Sequence, residues 1–300
     1  MILQLSLAPC GKALKRGVEP IAINVGEVNI QSLLMDIVKN TSPMIIEKSK
    51  DSSYKRIMRS GKGDVTRGID WVAEGAIIDR IKAEGLRALV ITEERGVVKV
   101  NDGEPDYLFI VDPIDGSLNF VLDVPFYSIS IAVARFKSNL TLSDVEAGII
   151  HHVSSGVTYY AERGKGAFIN GEPASFDSSV LDKPVASIYI EPTVEQRVLN
   201  GLAELYRRLN GFKIRSLGAA SLEITMAALG KLLFFLDVRN RLRLYDIAAA
   251  YVIAKELNSL IIAMDGYSID DVPINEQPRV SLLVTRSREV ADLLRQFLQH

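Results

Sequence analysis

The chain has 300 residues, 48% of them hydrophobic and 24% charged, with a formal net charge of −2. That length and apolar share suit one large soluble domain or two closely packed ones, able to bury a core without disulfides or structural metals. The charge balance argues against a general nucleic-acid binder. The single cysteine, Cys10, excludes an intrachain disulfide and a cysteine-based zinc site.

In chain order, the opening "MILQLSLAPC" lacks a basic start and a small-residue cleavage pattern, so residues 1–27 are read as an N-terminal extension rather than a leader. No apolar run approaches the ~18–20 residues of a membrane span, and a cytoplasmic protein with no membrane or nucleic-acid partner is expected. Spaced apolar residues predict a helix over Val28 to Ile46. Lys48 to Asp64 is polar, basic and glycine-flanked, and reads as a mobile loop. Ile69, Val72, Ala73, Ala76, Ile77 and Ile81 recur at helical spacing, with Gly85 placed to end the helix; Trp71 reads as a packing residue of it, and Asp70 as its cap.

Strands are expected at Arg87 to Thr92, ending in Glu93-Glu94, and at Tyr107 to Val111, ending in a turn, Asp112-Pro113-Ile114-Asp115-Gly116. Tyr127 to Phe136, Val145 to Val153 and Gly156 to Glu162 follow, with a tight-turn signal at Asn170-Gly171. This block predicts an antiparallel sheet covered by the earlier helices. A composition change near Asp177 to Pro184 predicts a boundary between an α+β domain, 28–180, and a C-terminal α/β domain, 181–300. In the latter, strands alternate with helices at Val194 to Leu209, Ala219 to Leu229 and Tyr245 to Leu257.

Acidic residues recur where apolar runs end: Glu93, Asp112, Asp115, and Asp246 at the head of an apolar helix. Brought together, they would repel one another unless cations neutralise them or some take up protons. An all-oxygen ligand set favours Mg²⁺ or Mn²⁺ over zinc. Gly116 and Ser117 could open a short helix whose amides face phosphate oxygens, a pairing suited to phosphoryl transfer to water. His151 and His152 point to opposite faces of one strand, and no Gly-x-Ser-x-Gly elbow accompanies them.

These residues carry a resemblance. "DPIDGSLNF" (Asp112 to Phe120) resembles the Asp-Pro-(Ile/Leu)-Asp-Gly-(Ser/Thr) signature of the inositol monophosphatase / fructose-1,6-bisphosphatase superfamily. "GDVTRGID", "ITEERG", "YYAERGKGAFINGEP", "SLGAASLEI" and "LYDIAAAYVIAKE" resemble further motifs of that superfamily in its own order. The resemblance implies a layered αβαβα sandwich of the sugar phosphatase fold, α/β with mixed α+β character.

It also implies roles. Glu93, Asp112 and the Ile114 carbonyl would hold one Mg²⁺, and Asp112, Asp115 and Asp246 a second. Glu93 would also touch a third, weaker ion, and Mn²⁺ is possible. Asp64 and Ser117, with Thr66 nearby, would orient the attacking water; Gly116 and Ser117 would hold the phosphate. Arg239 and Arg243 in the basic stretch "VRNRLRLYD", and Arg215, Ser216, Gly218 and Ala219, would meet the substrate, and the basic stretch suits a second phosphate. It resembles archaeal members that act on both fructose 1,6-bisphosphate and inositol phosphates. The expectation is a Mg²⁺-dependent phosphatase of small phosphorylated sugars or cyclitols, working as a homodimer or homotetramer. Rival readings are a 3′-phosphoadenosine 5′-phosphate or NADP phosphatase, and a metal-binding regulator without turnover.

Overall fold

The structure, a computed structural model, describes residues 28–60, 65–176, 184–264 and 267–298. Helix α1 (Ile30–Lys48) starts where the Asn29 side chain accepts the Ser32 N–H at 2.9 Å, a good N-cap. After a 3-10 turn (Ser52–Lys55), β1 (Ile57–Ser60) pairs antiparallel with β2 (Val65–Arg67). Part of the stretch expected to be a loop is therefore a strand, because Arg59 and Ser60 find ladder partners in Thr66 and Val65; residues 61–64 lie outside the described residues. Helix α2 (Gly68–Ala83) follows.

An eight-stranded sheet then runs in the order β10-β9-β8-β7-β6-β5-β3-β4. Its strands are β3 (Ala88–Thr92), β4 (Gly96–Val100), β5 (Tyr107–Asp115), β6 (Ser128–Arg135), β7 (Val145–His152), β8 (Val157–Glu162), β9 (Gly166–Ile169) and β10 (Glu172–Pro173). All pairings are antiparallel except β3 with β5, which are parallel. A second sheet has the order β12-β11-β13-β15-β14, from β11 (Val185–Tyr189), β12 (Lys213–Arg215), β13 (Phe234–Leu242), β14 (Leu260–Ala263) and β15 (Val280–Thr285).

The layers follow from residue alternation. On β5, Phe109 and Val111 face α1 and α2, while Leu108 and Ile110 face the other way, as period-2 side chains must. That second face meets α5 (Ala220–Leu229) and α6 (Leu244–Glu256), whose residues are almost all buried because each helix lies between two sheets. The far sheet turns Phe235 and Val284 toward these helices and Phe234, Leu236 and Leu283 toward α4 (Gln196–Arg208) and α7 (Arg288–Leu298). The result is the expected αβαβα sandwich.

Gly148 is what lets the middle layer close: a Cβ there would lie 2.6 Å from the Ala249 carbonyl oxygen, so α6 rests directly on β7. Two local expectations are corrected. β4 was not foreseen, since Gly96 to Val100 buries only Val100. Trp71 is 38% exposed, with the Arg95 guanidinium 4.1 Å over its ring; it is a cation–π partner rather than a core residue.

Candidate active site

The apolar run of β5 does not stop at Asp112. The strand continues to Asp115, with Asp112 opposite Ser130 and Asp115 opposite Ser128. Three steps on β5 match two on β6, so the strand carries one extra residue, a β-bulge. This corrects the reading of these residues as a turn beyond the strand, and it has a chemical consequence. Residues three apart in a regular strand point to opposite faces; the extra residue lets both carboxylates serve one site. Pro113, with no N–H to give, fits such an irregular position. The Ile114 N–H donates to Asp112 Oδ1 at 2.9 Å and fixes its side chain.

Asp115 sits against the N-terminus of α5. The Ala220 N–H donates to Oδ1 at 3.0 Å; the Ser221 N–H and hydroxyl donate to Oδ2 at 2.8 and 2.6 Å. Asp246 is the third residue of α6, and its Oδ2 accepts the Arg243 N–H at 2.7 Å. One carboxylate oxygen from each of Asp112, Asp115 and Asp246 lies within 4.8 Å of the others. Parallel pairing of Thr92 with Val111 brings Glu93 up beside this group. Glu93 Oε1 accepts from Arg243 Nη1 at 2.6 Å, and the same guanidinium nitrogen donates to the Tyr245 hydroxyl.

The charges are crowded. Burial, compounded by neighbouring carboxylates, holds Glu93 and Asp112 well above the ordinary range. Burial also raises Asp115 to about 7, against the hydrogen bonds from Ser221 and Ala220, and Asp246 to about 6. A fifth carboxylate belongs here. Asp70, buried and raised to about 7 by burial and by Glu94, adds to the repulsion felt at Glu93 and Asp112. Its Oδ2 accepts the Arg67 N–H at 3.2 Å, so the expected capping role is present; its Oδ1 is buried without a hydrogen-bond partner. An orphaned buried oxygen among like charges is costly. The donor set, oxygen only and rich in carboxylate, suits hard divalent cations.

Beside the acids, Gly116 adopts φ +92°, and a Cβ there would meet Ala219 Cβ, the Gly218 carbonyl and the Phe126 carbonyl, each at 3.1 Å. Glycine is required both for the backbone turn and for the approach of the 216–219 loop. Ser117 opens the short α3 (Ser117–Val121) and its hydroxyl accepts from Arg67 Nη1 at 2.9 Å. The Gly218 and Ala219 amides donate to Glu223. Arg239 is held by Asp237, to which its backbone N–H, Nε and Nη2 donate at 2.7, 3.0 and 2.6 Å. It lines a cavity of about 240 Å³ with Glu191, Thr193, Arg197 and Met264. Arg215 is exposed on edge strand β12. Thr66 lies in β2, and Asp64 lies outside the described residues. His151 is buried with Nδ1 2.8 Å from the Thr158 hydroxyl.

The expected cap at Asp70 is present, and Arg67, which donates to the Ser117 hydroxyl, was not singled out from the sequence. A signal existed: Arg67-Gly68-Ile69-Asp70 and Arg243-Leu244-Tyr245-Asp246 each place an acid three residues after an arginine, at the head of an apolar helix.

Comparison with known proteins agrees with this geometry. The sequence profile described as the inositol monophosphatase family matches residues 23–296. A fructose-1,6-bisphosphatase/inositol-1-monophosphatase of Methanothermobacter thermautotrophicus is 33% identical over 269 residues, covering 88% of this chain and 92% of that protein. A bifunctional NADP phosphatase/NAD kinase of Methanococcus maripaludis is 30% identical over 83% of this chain but only 45% of its own length. A solved structure from Pyrococcus horikoshii, described as similar to inositol-1 monophosphatase, superposes with a TM-score of 0.72 at 26% identity, covering 90% of this chain and 98% of that one. The chain is a member of the inositol monophosphatase family.

Proposed function

We propose that the protein is a Mg²⁺-dependent phosphatase that hydrolyses monoesters of small phosphorylated sugars or cyclitols, with fructose 1,6-bisphosphate and myo-inositol 1-phosphate as the leading substrates. The observation that carries this reading is the convergence of Asp112, Asp115 and Asp246, from one strand end and one helix start, to within 4.8 Å. Glu93, Asp112, the Ile114 carbonyl, Asp115 and Asp246 would hold two ions, Mg²⁺ or Mn²⁺, with a third, weaker one at Glu93. When bound, the cations would supply charge neutralisation for the phosphate and would acidify the attacking water. Asp70, whose Oδ1 is buried without a hydrogen-bond partner, would serve as the general base. Ser117, with Asp64 and Thr66, would orient that water. Gly116 and Ser117 receive the phosphate; Arg215, Ser216, Gly218, Ala219, Arg239 and Arg243 surround the rest of the substrate.

Arg239, whose Nε and Nη2 are taken by Asp237, would meet a second anionic group through its remaining N–H. Homodimeric or homotetrameric assembly and a cytoplasmic location belong to the same reading; no helix among the described residues is long and apolar enough to cross a membrane. The alternative, an NADP or 3′-phosphoadenosine 5′-phosphate phosphatase, draws support from the similarity to the NADP phosphatase/NAD kinase. A panel of fructose 1,6-bisphosphate, myo-inositol 1-phosphate, NADP and 3′-phosphoadenosine 5′-phosphate, read as released phosphate with Mg²⁺, decides between them. The sugar reading requires the highest kcat/KM on one of the first two; a preference for either nucleotide would overturn it.

A further inference from the structure

Glu223 lies one turn into α5 and is fully buried. Five donors converge on its carboxylate. The Ser187 hydroxyl and the Leu217 N–H donate to Oε1 at 2.5 and 2.9 Å. The Tyr189 hydroxyl and the N–H groups of Gly218 and Ala219 donate to Oε2, the two amides at 3.0 and 3.3 Å. Burial and the neighbouring Glu223 push the Tyr189 phenol well above its usual range, so it stays a donor. Three consecutive amides turned onto one carboxylate define the path of the 216–219 loop. Gly218 takes φ +86° to do so, with the Asn119 side chain 3.2 Å from where its Cβ would be. Asn119 in turn donates to the Leu217 and Phe126 carbonyls at 2.6 and 2.7 Å.

That path sets two contacts of the candidate site. It brings the Gly218 carbonyl and Ala219 against Gly116, and it aims the next two amides, of Ala220 and Ser221, at Asp115. The Tyr189 ring that reaches Glu223 also lies 4.5 Å beneath the Arg239 guanidinium. One carboxylate thus joins the loop against the glycine turn, the helix end that holds a candidate metal ligand, and the ring under a candidate substrate arginine.

We propose that Glu223 is a positioning residue for phosphate-ester hydrolysis, acting through the 216–219 loop on Gly116 and Asp115; the assignment rests on the phosphatase reading above. Its negative charge matters because all five partners are donors: an amide side chain would turn an NH₂ toward at least two of them.

The test compares wild type, Glu223→Gln, Tyr189→Phe, which removes a single donor, and Leu283→Val, a core change in the far sheet that supplies a destabilised control. Two readouts are taken well below the melting temperatures: amide hydrogen exchange across 216–221, and kcat and KM for fructose 1,6-bisphosphate with Mg²⁺. The expected result is faster exchange in 216–221 for Glu223→Gln, less so for Tyr189→Phe, with kcat down ~10–100-fold for Glu223→Gln, the scale of a misplaced reacting group, and unchanged for Leu283→Val. Unchanged exchange in Glu223→Gln, or faster exchange with unchanged kcat, would overturn the proposal. So would equal kcat losses in Glu223→Gln and Leu283→Val at equal loss of stability. Should Glu223→Gln not fold, Tyr189→Phe decides by the same two readouts. Wild-type protein that releases no phosphate would sink the phosphatase reading, while loop exchange still reports on the clamp itself.

Discussion

Asp70 and Asp246 occupy the same position in two different helices. Each is the third residue of its helix, and each accepts the backbone N–H of the arginine before it, Arg67 at 3.2 Å and Arg243 at 2.7 Å. One oxygen is thereby fixed to a helix start, where the helix dipole favours negative charge, and the other is left for the acidic cluster. The helices come from opposite sides of the eight-stranded sheet, so the site is assembled where α2, the β5 bulge and the start of α6 meet.

Asp70→Asn keeps an oxygen for the Arg67 N–H and removes the charge. We expect folded protein with kcat reduced ~10²–10⁴-fold, the usual range for a lost general base, and divalent-ion affinity changed far less. Asp64→Asn measured in parallel separates the two candidates: a large loss with Asp64→Asn and near-normal turnover with Asp70→Asn would assign the water to Asp64 instead.

The raised carboxylates make the metal-free protein sensitive to pH, with a definite sign. Asp115 and Asp70 at about 7 and Asp246 at about 6 lie above the unfolded value near 4, so the folded state holds more protons than the unfolded one. Stability in EDTA is therefore greatest below about pH 4 as far as these groups are concerned, and falls as pH rises from about 4 to 7. A tenfold difference in proton affinity between the two states is worth ~1.4 kcal/mol, so Asp246 contributes on the order of 3 kcal/mol and Asp115 and Asp70 about 4 each. Saturating Mg²⁺ should remove the loss. Denaturant titrations at pH 5.5 and 8, with EDTA and with Mg²⁺, check this; a metal-free stability that is flat or rises over that range contradicts it.

Arg243 is tied to Glu93 and to the Tyr245 hydroxyl, so it acts on the acidic cluster as well as on any substrate. Arg243→Met removes a positive charge beside Glu93. Divalent-ion binding, followed by calorimetry, should tighten several-fold, while KM for fructose 1,6-bisphosphate rises more than KM for myo-inositol 1-phosphate. Equal KM changes on the two substrates would exclude contact with a second phosphate.

Gly148→Ala tests how the middle layer places Asp246. The new methyl would meet backbone of Ala249, not a flexible side chain, so α6 must shift. A stability loss of about 2 kcal/mol or more is expected, with weakened metal binding. Full stability and normal affinity would mean that α6 tolerates displacement without moving its N-terminal carboxylate.

The elements were legible in the sequence because the apolar run of β5 and the helical spacing in α2 are properties of neighbouring residues; the order of the layers came from the family resemblance. That acids would gather was legible, since Asp112, Asp115 and Asp246, which the structure brings together, each end or begin an apolar run. The bulge was not, because a strand that gains one residue looks in sequence like a strand that has stopped. Glu223 was not, because its five partners come from β11, the 216–219 loop and its own helix, and only folding brings them to one carboxylate. Arg243 was visible as a basic residue near the site; that its guanidinium meets Glu93, 150 positions away, is tertiary information.

Hydrolysis at the cluster formed by Asp112, Asp115 and Asp246 is read out by phosphate release from fructose 1,6-bisphosphate and myo-inositol 1-phosphate, using wild type and Asp112→Asn, each in EDTA and in saturating Mg²⁺. Turnover is expected from wild type in Mg²⁺ only, and none from Asp112→Asn in either condition. Phosphate release that persists in EDTA, or wild-type turnover by Asp112→Asn, would contradict it.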